Sequence, residues 1–288
     1  MIPIPSNLYR SQADDKTPES DAAYFYFLRQ RSLSDRIAMI QRLNLMAKKL
    51  AIASVQQTHP HIRESGQRQL VAQILLPDKY CGHFVLGGTF MSWEQQDSIG
   101  LTQQLHSLFT DLQIPYYLGG GLAAAIWGEP RVTQDADLIL SFDPEQRTEL
   151  IDRLIAELEQ IGFYCPPGAV EEVRSRSGKT VSITHTQTVD NADLIAMPNE
   201  PFEHSQMQRR LLIETFGSPF WVCTAEDIIL QKLVYSRQSR SEKQWRQVLG
   251  VLKAQSNQLD FEYLNRWGEQ LNLSDRLRQS YEESGVTS

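Results

Sequence analysis

From Asp21 to about His59, apolar residues such as Ile37, Ile40, Leu43 and Leu50 recur at steps of three and four. That period predicts helix, with Ser34 placed to cap a second helix inside the run. His59-Pro60-His61 breaks the pattern, and a further helix is expected from Gln67 to Leu76. Residues 1–20 are polar, contain proline and show no period, which predicts a loose arm. Asp97 opens the next helix, with Leu101, Leu105, Leu108, Phe109 and Leu112 on one stripe, and Pro115 ends it. Shorter elements follow. Tyr116-Tyr117-Leu118 predicts a strand, Leu122 to Trp127 a brief helix stopped by Gly128-Glu129-Pro130, and Asp137 to Phe142 a second strand. Asp143-Pro144-Glu145 combines a capping side chain, a first-turn proline and an acid at the positive end of the dipole. The helix it opens buries Leu150, Leu154 and Leu158 and closes at Gly162. Strands are expected around Phe163, at Val181–His185 and at Ala192–Met197. From Thr224 the pattern returns to helix: Ala225–Ser236, Glu242–Lys253, Phe261–Leu271 and Ser274–Glu283. The fold class is therefore α+β. A helical module (1–85) precedes a small mixed-sheet core (86–222), and a helical region (223–288) closes the chain.

The core opens on Gly119-Gly120-Gly121, three residues that each lose much backbone freedom on folding. Gly119 to Ala124 satisfies G-x-G-x-x-A, the dinucleotide fingerprint. A dinucleotide unit also needs a full helix after the glycines and an acid at the end of a second strand. Here the helix has under two turns before Gly128, and the acids stand before an apolar strand, so that reading fails. No G-x-x-x-x-G-K-[ST] is present, which excludes a P-loop. The acids are Asp135 and Asp137. At the head of a strand, residues two apart face the same way, so both carboxylates converge on one spot. Like charges that close call for an offsetting cation, and magnesium takes one or two carboxylates together with substrate phosphates.

The stretch "YLGGGLAAAIWGEPRVTQDADLIL" resembles the nucleotidyltransferase core of the DNA polymerase β superfamily. The Arg131-x-Thr133-x-Asp135-x-Asp137 version is similar to the branch of AbiEii-type toxins of toxin–antitoxin systems and related bacterial nucleotidyltransferases. "TAEDIILQKLVYSRQSRSEKQWRQVLGVLK" resembles the helix with a lysine that follows the core in that branch. The likeness covers about residues 95–275 and leaves 1–85 outside. It implies a phosphate turn at Gly119, Gly120 and Gly121, with Arg131 and Thr133 orienting the loop or touching phosphate. Lys232 would lie near the nucleotide. Asp135 and Asp137 would hold Mg2+ or Mn2+. The third carboxylate of the family matches Asp193, with Asp190 as the alternative. The implied activity moves a nucleoside monophosphate from an NTP to a hydroxyl on tRNA or protein. Relatives often carry an aspartate where this chain has Gln247. The contrasting reading is a non-catalytic, antitoxin-like module that binds nucleotide or, through residues 1–85, a partner protein.

Composition narrows the field further. With 41% hydrophobic residues in 288, the chain can build a packed core. Its formal charge of −7 excludes coating nucleic acid by bulk electrostatics but permits a local basic groove. Cys81, Cys165 and Cys223 are far apart and form no C-x-x-C, so they are read as lone thiols in a reducing cytoplasm. No basic-then-apolar leader opens the sequence, and no apolar run reaches the roughly 20 residues of a membrane span. Arg237, Arg240, Lys243 and Arg246 recur every three residues and, on a single helix, would make a basic stripe. Arg174, Arg176 and Lys179 are expected in a hairpin loop beside it. His185 could approach the pocket but is read as structural. His59 and His61 lack further ligands.

Overall fold

The computed structural model describes residues 6–76, 85–239 and 241–287. The chain begins with α1 (Pro18–Arg29), α2 (Leu33–Thr58), α3 (Glu64–Leu75), α4 (Phe90–Trp93) and α5 (Ser98–Asp111). The mixed part follows: β1 (Tyr116–Leu118), α6 (Gly120–Trp127), β2 (Asp135–Leu140), α7 (Arg147–Gln160), β3 (Phe163–Tyr164) and α8 (Pro167–Ser175). It continues through β4 (Thr180–His185), β5 (Asn191–Ala196), α9 (Pro201–Arg209), β6 (Leu211–Thr215) and β7 (Ser218–Val222). The chain ends in α10 (Ala225–Ser239), α11 (Glu242–Gln255), α12 (Phe261–Gln270) and α13 (Ser274–Ser284). The fold is α+β, with two compact units that are discontinuous in sequence. A sheet unit comprises 39–122 and 131–222, and a helical unit comprises 1–38, 123–130 and 223–288.

The sheet unit is built on seven strands in the order β3-β4-β5-β2-β1-β7-β6. β2 runs parallel to β5 and β1 parallel to β7, and the other neighbours are antiparallel. β2 alternates in burial: Ala136 and Leu138 are buried, while Asp135 and Asp137 are half-exposed on the other face. α2, α3 and α4 share a hydrophobic core made of Ile52, Val55, Val71, Leu75, Phe90 and Trp93, and Val189 of the β4–β5 turn joins it. The hairpin of β6 and β7 has no counterpart in the sequence reading, and neither do α8 and α9. Its turn is Phe216-Gly217, both with positive φ (52° and 77°), the backbone of a two-residue hairpin loop. A phenylalanine there hides the usual Asn-Gly or Asp-Gly signal. Gln103 of α5 holds the turn by donating Nε2–H to the carbonyls of Thr215 and Ser218, each at 3.0 Å.

Three local expectations need correction. The second helix expected inside the Asp21–His59 run is present, but Ser32, not Ser34, starts it, accepting the N–H of Asp35 at 3.1 Å. Asp143-Pro144-Glu145 forms a turn closed by the Asp143 carboxylate on the Glu145 N–H (2.9 Å), and helix proper begins at Arg147. The N-terminal arm is anchored from Ser6 onward. Arg10 N–H donates to the Glu283 carbonyl (2.8 Å), and Gln12 N–H donates to Asp21 Oδ1 (3.1 Å). An arm without apolar period can still be fixed when its backbone groups find buried polar partners.

The anchor of that arm is Lys253 of α11, paired to Asp21 at 2.8 Å with side-chain exposures of 1% and 0%. Its ammonium also donates to the Arg10 carbonyl and lies over the Tyr9 ring, while Tyr9 Oη–H donates to Asp21 at 2.8 Å. Removing one partner of a buried pair strands the other charge. Lys253→Met is therefore expected to lower unfolding free energy by about 3–5 kcal/mol in urea titrations. A loss below about 1 kcal/mol would show the pair to be open to water.

Candidate active site

The glycine turn joins β1 to α6 and closes around one side chain, Asp137. Gly119 N–H donates to the Asp137 carbonyl at 2.8 Å, and Gly121 N–H donates to Asp137 Oδ2 at 3.1 Å. Gly120 sits at φ +61°, and a Cβ built there would fall 1.7 Å from Asp137 Oδ2. Only glycine leaves room for the carboxylate against that backbone. The amides of Gly119 and Gly121 are thus engaged by Asp137 itself, so the turn seats an acid as well as making a concavity.

Arg131 and Thr133 lie over the same turn. Arg131 Nη2 donates to the Gly121 carbonyl at 3.1 Å, and a Cβ on Gly121 would meet Arg131 Nη2 at 3.2 Å and Thr133 Cγ2 at 3.5 Å. The Thr133 hydroxyl is buried and makes no hydrogen bond among the described residues.

The parallel pairing of β2 with β5 puts Asp137 opposite Asp193 and Asp135 opposite Asn191. In-register neighbours share a face of the sheet, so Asp135, Asp137 and Asp193 lie on one side of it. Each has a protein donor: Asn191 Nδ2 to Asp135 Oδ1 at 2.6 Å, Gly121 N–H to Asp137, and the Ser182 hydroxyl to Asp193. Among the described residues no group of three or more His, Cys, Asp or Glu is arranged to hold a metal ion. The three carboxylates, expected to meet at one ion, are thus each held by a protein partner. Asp135 and Asp137 still supply what magnesium usually takes, one or two carboxylates completed by substrate phosphate and water.

Asp190, the alternative third acid, belongs elsewhere. It precedes β5 and pairs with Lys48 of α2 at 2.6 Å, both side chains being nearly buried. Burial pushes its carboxyl up to about 6, against the pull of Lys48. A folded-state pKa above the unfolded value of about 3.9 means the folded chain holds this proton more tightly. The group's contribution is then fully present below about pH 4 and is lost as pH rises through 6. Urea unfolding between pH 4 and 7 should show wild type losing stability relative to Asp190→Asn as pH rises; a relative gain would contradict the shift.

The remaining candidates separate. Lys232 is buried on α10, in the helical unit. Gln247 is buried on α11 of the same unit, and its Oε1 has no hydrogen-bond partner among the described residues. His185 is structural, as expected: its Nδ1 meets the Thr188 hydroxyl at 2.9 Å, its ring stands edge-on to Phe163, and burial lowers its pKa. The basic stripe is not on one helix. Arg237 lies in the last turn of α10 and donates to the Leu271 carbonyl, whereas Lys243 and Arg246 belong to α11, with Arg246 paired to Glu242 and Asp14. Arg240 lies outside the described residues. Arg174 stands on α8, not in a hairpin loop, and pairs with Asp152 and Glu171, while Lys179 pairs with Glu172. Cys165 and Cys223 are buried, and burial raises both thiols, Cys165 to about 12. Cys81 lies outside the described residues.

Fold and site together define an α+β protein whose mixed sheet carries acids beside a glycine turn. No family model matches the chain, and no curated protein matches it. Solved structures similar to it include an antigenic nucleotidyltransferase-like protein from Paracoccidioides brasiliensis. The two share 15% identity over 65% of this chain and 93% of that one, with a TM-score of 0.43. The lincosamide antibiotic adenylyltransferase LnuA, solved with lincomycin bound, is 15% identical over 52% of this chain and 94% of its own, at a TM-score of 0.36. The antibiotic-resistance factor ANT(2'')-Ia is 17% identical over 66% of this chain and 98% of its own, at 0.40. At this level of superposition the chemistry of the site rests on its own residues. Among the described residues no helix is long and apolar enough to cross a membrane.

Proposed function

We propose that the protein is a nucleotidyltransferase: an acceptor hydroxyl attacks the α-phosphate of an NTP, takes the nucleoside monophosphate, and pyrophosphate leaves. The observation that carries this reading is the seating of Asp137 in the glycine turn with Asp193 abreast of it on β5. Asp135 and Asp137 would hold Mg2+ or Mn2+, with Asp193 as the third carboxylate. Held by these carboxylates, a divalent ion would supply neutralisation of triphosphate charge and activation of the attacking hydroxyl. The chain's own part is orientation. The start of α6 would present its positive dipole end to the phosphates, Arg131 would add a cation beside the Gly121 carbonyl, and Thr133 would brace the loop. Asp193, hydrogen-bonded to Ser182, would take the acceptor's proton. Lys232 is assigned to the nucleotide only through the resemblance of its helix to the AbiEii-type branch. The same resemblance motivates tRNA or protein as acceptor, a toxin–antitoxin setting and a cytoplasmic location. Residues 1–85 are the proposed partner-binding part, and the exposed Met46 and Leu50 of α2 suit that role.

A second reading is a non-catalytic module that binds nucleotide or a partner. The engagement of all three acids by protein donors favours it, as does Gln247 in place of an acid. Labelled NTPs decide between them. Purified protein with magnesium, given each NTP, total tRNA and its own chain as acceptors, should label one acceptor, and EDTA should remove the label. Wild-type protein that labels nothing with any NTP, yet binds nucleotide or partner, would establish the second reading.

A further inference from the structure

Two polar residues of α2, one helical turn apart, reach the two chain segments that lead into the acids. Asn44 takes the first. Its Oδ1 accepts the Thr133 N–H at 2.8 Å, and its Nδ2 donates to Ser98 Oγ at 3.0 Å and to Asp97 Oδ2 at 3.3 Å. Ser98 completes the clamp by donating its hydroxyl to the Thr133 carbonyl at 2.9 Å. Both backbone groups of Thr133, two residues before Asp135, are therefore held by side chains from α2 and the start of α5. Asp97 is itself fixed, because its Oδ1 caps α5 on the Gly100 N–H at 3.0 Å. Lys48 takes the second segment. Its ammonium donates to Asp190 Oδ1 at 2.6 Å, to the Thr188 carbonyl at 3.2 Å and to the Gln96 carbonyl at 2.8 Å. Asp190 precedes Asn191, the donor to Asp135, and lies three residues before Asp193.

These contacts are buried or part-buried, and side chains four apart on a helix lie on the same face. Packing alone does not require them: the neighbouring core of α2 is made by Ala51, Ile52 and Val55. A polar pair placed among apolar residues needs every member satisfied. Here the satisfaction is obtained from the two loops that set the approach of β2 and β5. A register error of one residue between those strands would turn Asp193 to the opposite face from Asp137.

We infer that α2 is a positioning element of the site, with Asn44 and Lys48 holding the loops that bring Asp135, Asp137 and Asp193 onto one face. The inference rests on the nucleotidyl-transfer reading for its effect on rate, but not for its effect on loop order. Hydrogen exchange at the Thr133 amide and steady-state transfer would be measured for Asn44→Ala, for Ser98→Ala as a milder break of the same clamp, and for Arg153→Ala on the exposed side of α7. Thr133 exchange should rise about tenfold or more in the first two. Their kcat should fall at least about tenfold while KM for the NTP stays within about twofold. Arg153→Ala should change neither. Wild-type exchange at Thr133 in both clamp variants would overturn the inference, as would faster exchange with unchanged kcat. Failure of the wild type to label any acceptor would instead overturn the proposed function, and Thr133 exchange would then decide the clamp by itself.

Discussion

Asp137→Asn should reduce nucleotidyl transfer on the order of 100-fold or more while leaving the protein folded. The substitution preserves size and an oxygen. That oxygen can still accept the Gly121 N–H that Asp137 Oδ2 accepts at 3.1 Å, and the close approach to Gly120 is unchanged in shape. What disappears is the negative charge, the property that a divalent cation and a triphosphate site require. Asp135→Asn should behave alike, because its Asn191 partner at 2.6 Å can be kept by an amide oxygen. The measurement is label transfer at saturating NTP, beside thermal melting of each variant. Transfer at the wild-type rate in Asp137→Asn would remove the acid from the chemistry. Loss of transfer together with loss of folding would leave Asp135→Asn to decide, since its carboxylate is held by the Asn191 side chain.

Gly120→Ala should destabilise the sheet unit by roughly 2–5 kcal/mol and also abolish transfer. Two penalties combine. Alanine is strained at φ +61°. Its Cβ would also overlap Asp137, lying 1.7 Å from Oδ2, 2.2 Å from Cγ and 2.6 Å from Cβ. The carboxylate can yield only by giving up the Gly121 N–H and turning away from Asp193. Gly121→Ala is the internal contrast. Its φ is not in the left-handed region, and its nearest neighbour is the flexible end of Arg131 at 3.2 Å. That change should shift stability by under about 1 kcal/mol. Urea unfolding of the two variants side by side tests the geometry, and equal stabilities would mean that the turn does not close on Asp137 as described.

The difference between these two glycines explains how much of the site was legible in the sequence. Three glycines, a short helix and two acids in alternate positions are local features, and they were sufficient to separate this site from a dinucleotide fold. The reason for Gly120 was not local. Its backbone is shaped by a side chain 17 positions away, on a strand that pairs with β1 on one side and with the distant β5 on the other. The basic residues misled for a related cause. A three-residue recurrence implies one face only if the residues share a helix, and Arg237 belongs to α10 whereas Lys243 and Arg246 belong to α11. The hairpin of β6 and β7 escaped because its turn uses Phe216, which carries no ordinary turn signal. Likewise α8 and α9 are short, with too few apolar positions to establish a period before they end.

By itself, the amino-acid order determined most helices, the acid-bearing strand β2 and the shared orientation of Asp135 and Asp137. It could do so because side-chain direction repeats every 3.6 residues in a helix and every two in a strand. Only the tertiary structure decided which acid stands beside Asp137, and it placed Asp193 there through the register of β2 with β5. It also assigned Asp190 to Lys48, gave Asn44 the Thr133 backbone and anchored an arm that had looked loose. Each of those contacts joins residues from separate elements or beyond any helical or strand repeat. They are set by how elements stack and which buried polar groups must be satisfied, and no local period encodes either condition.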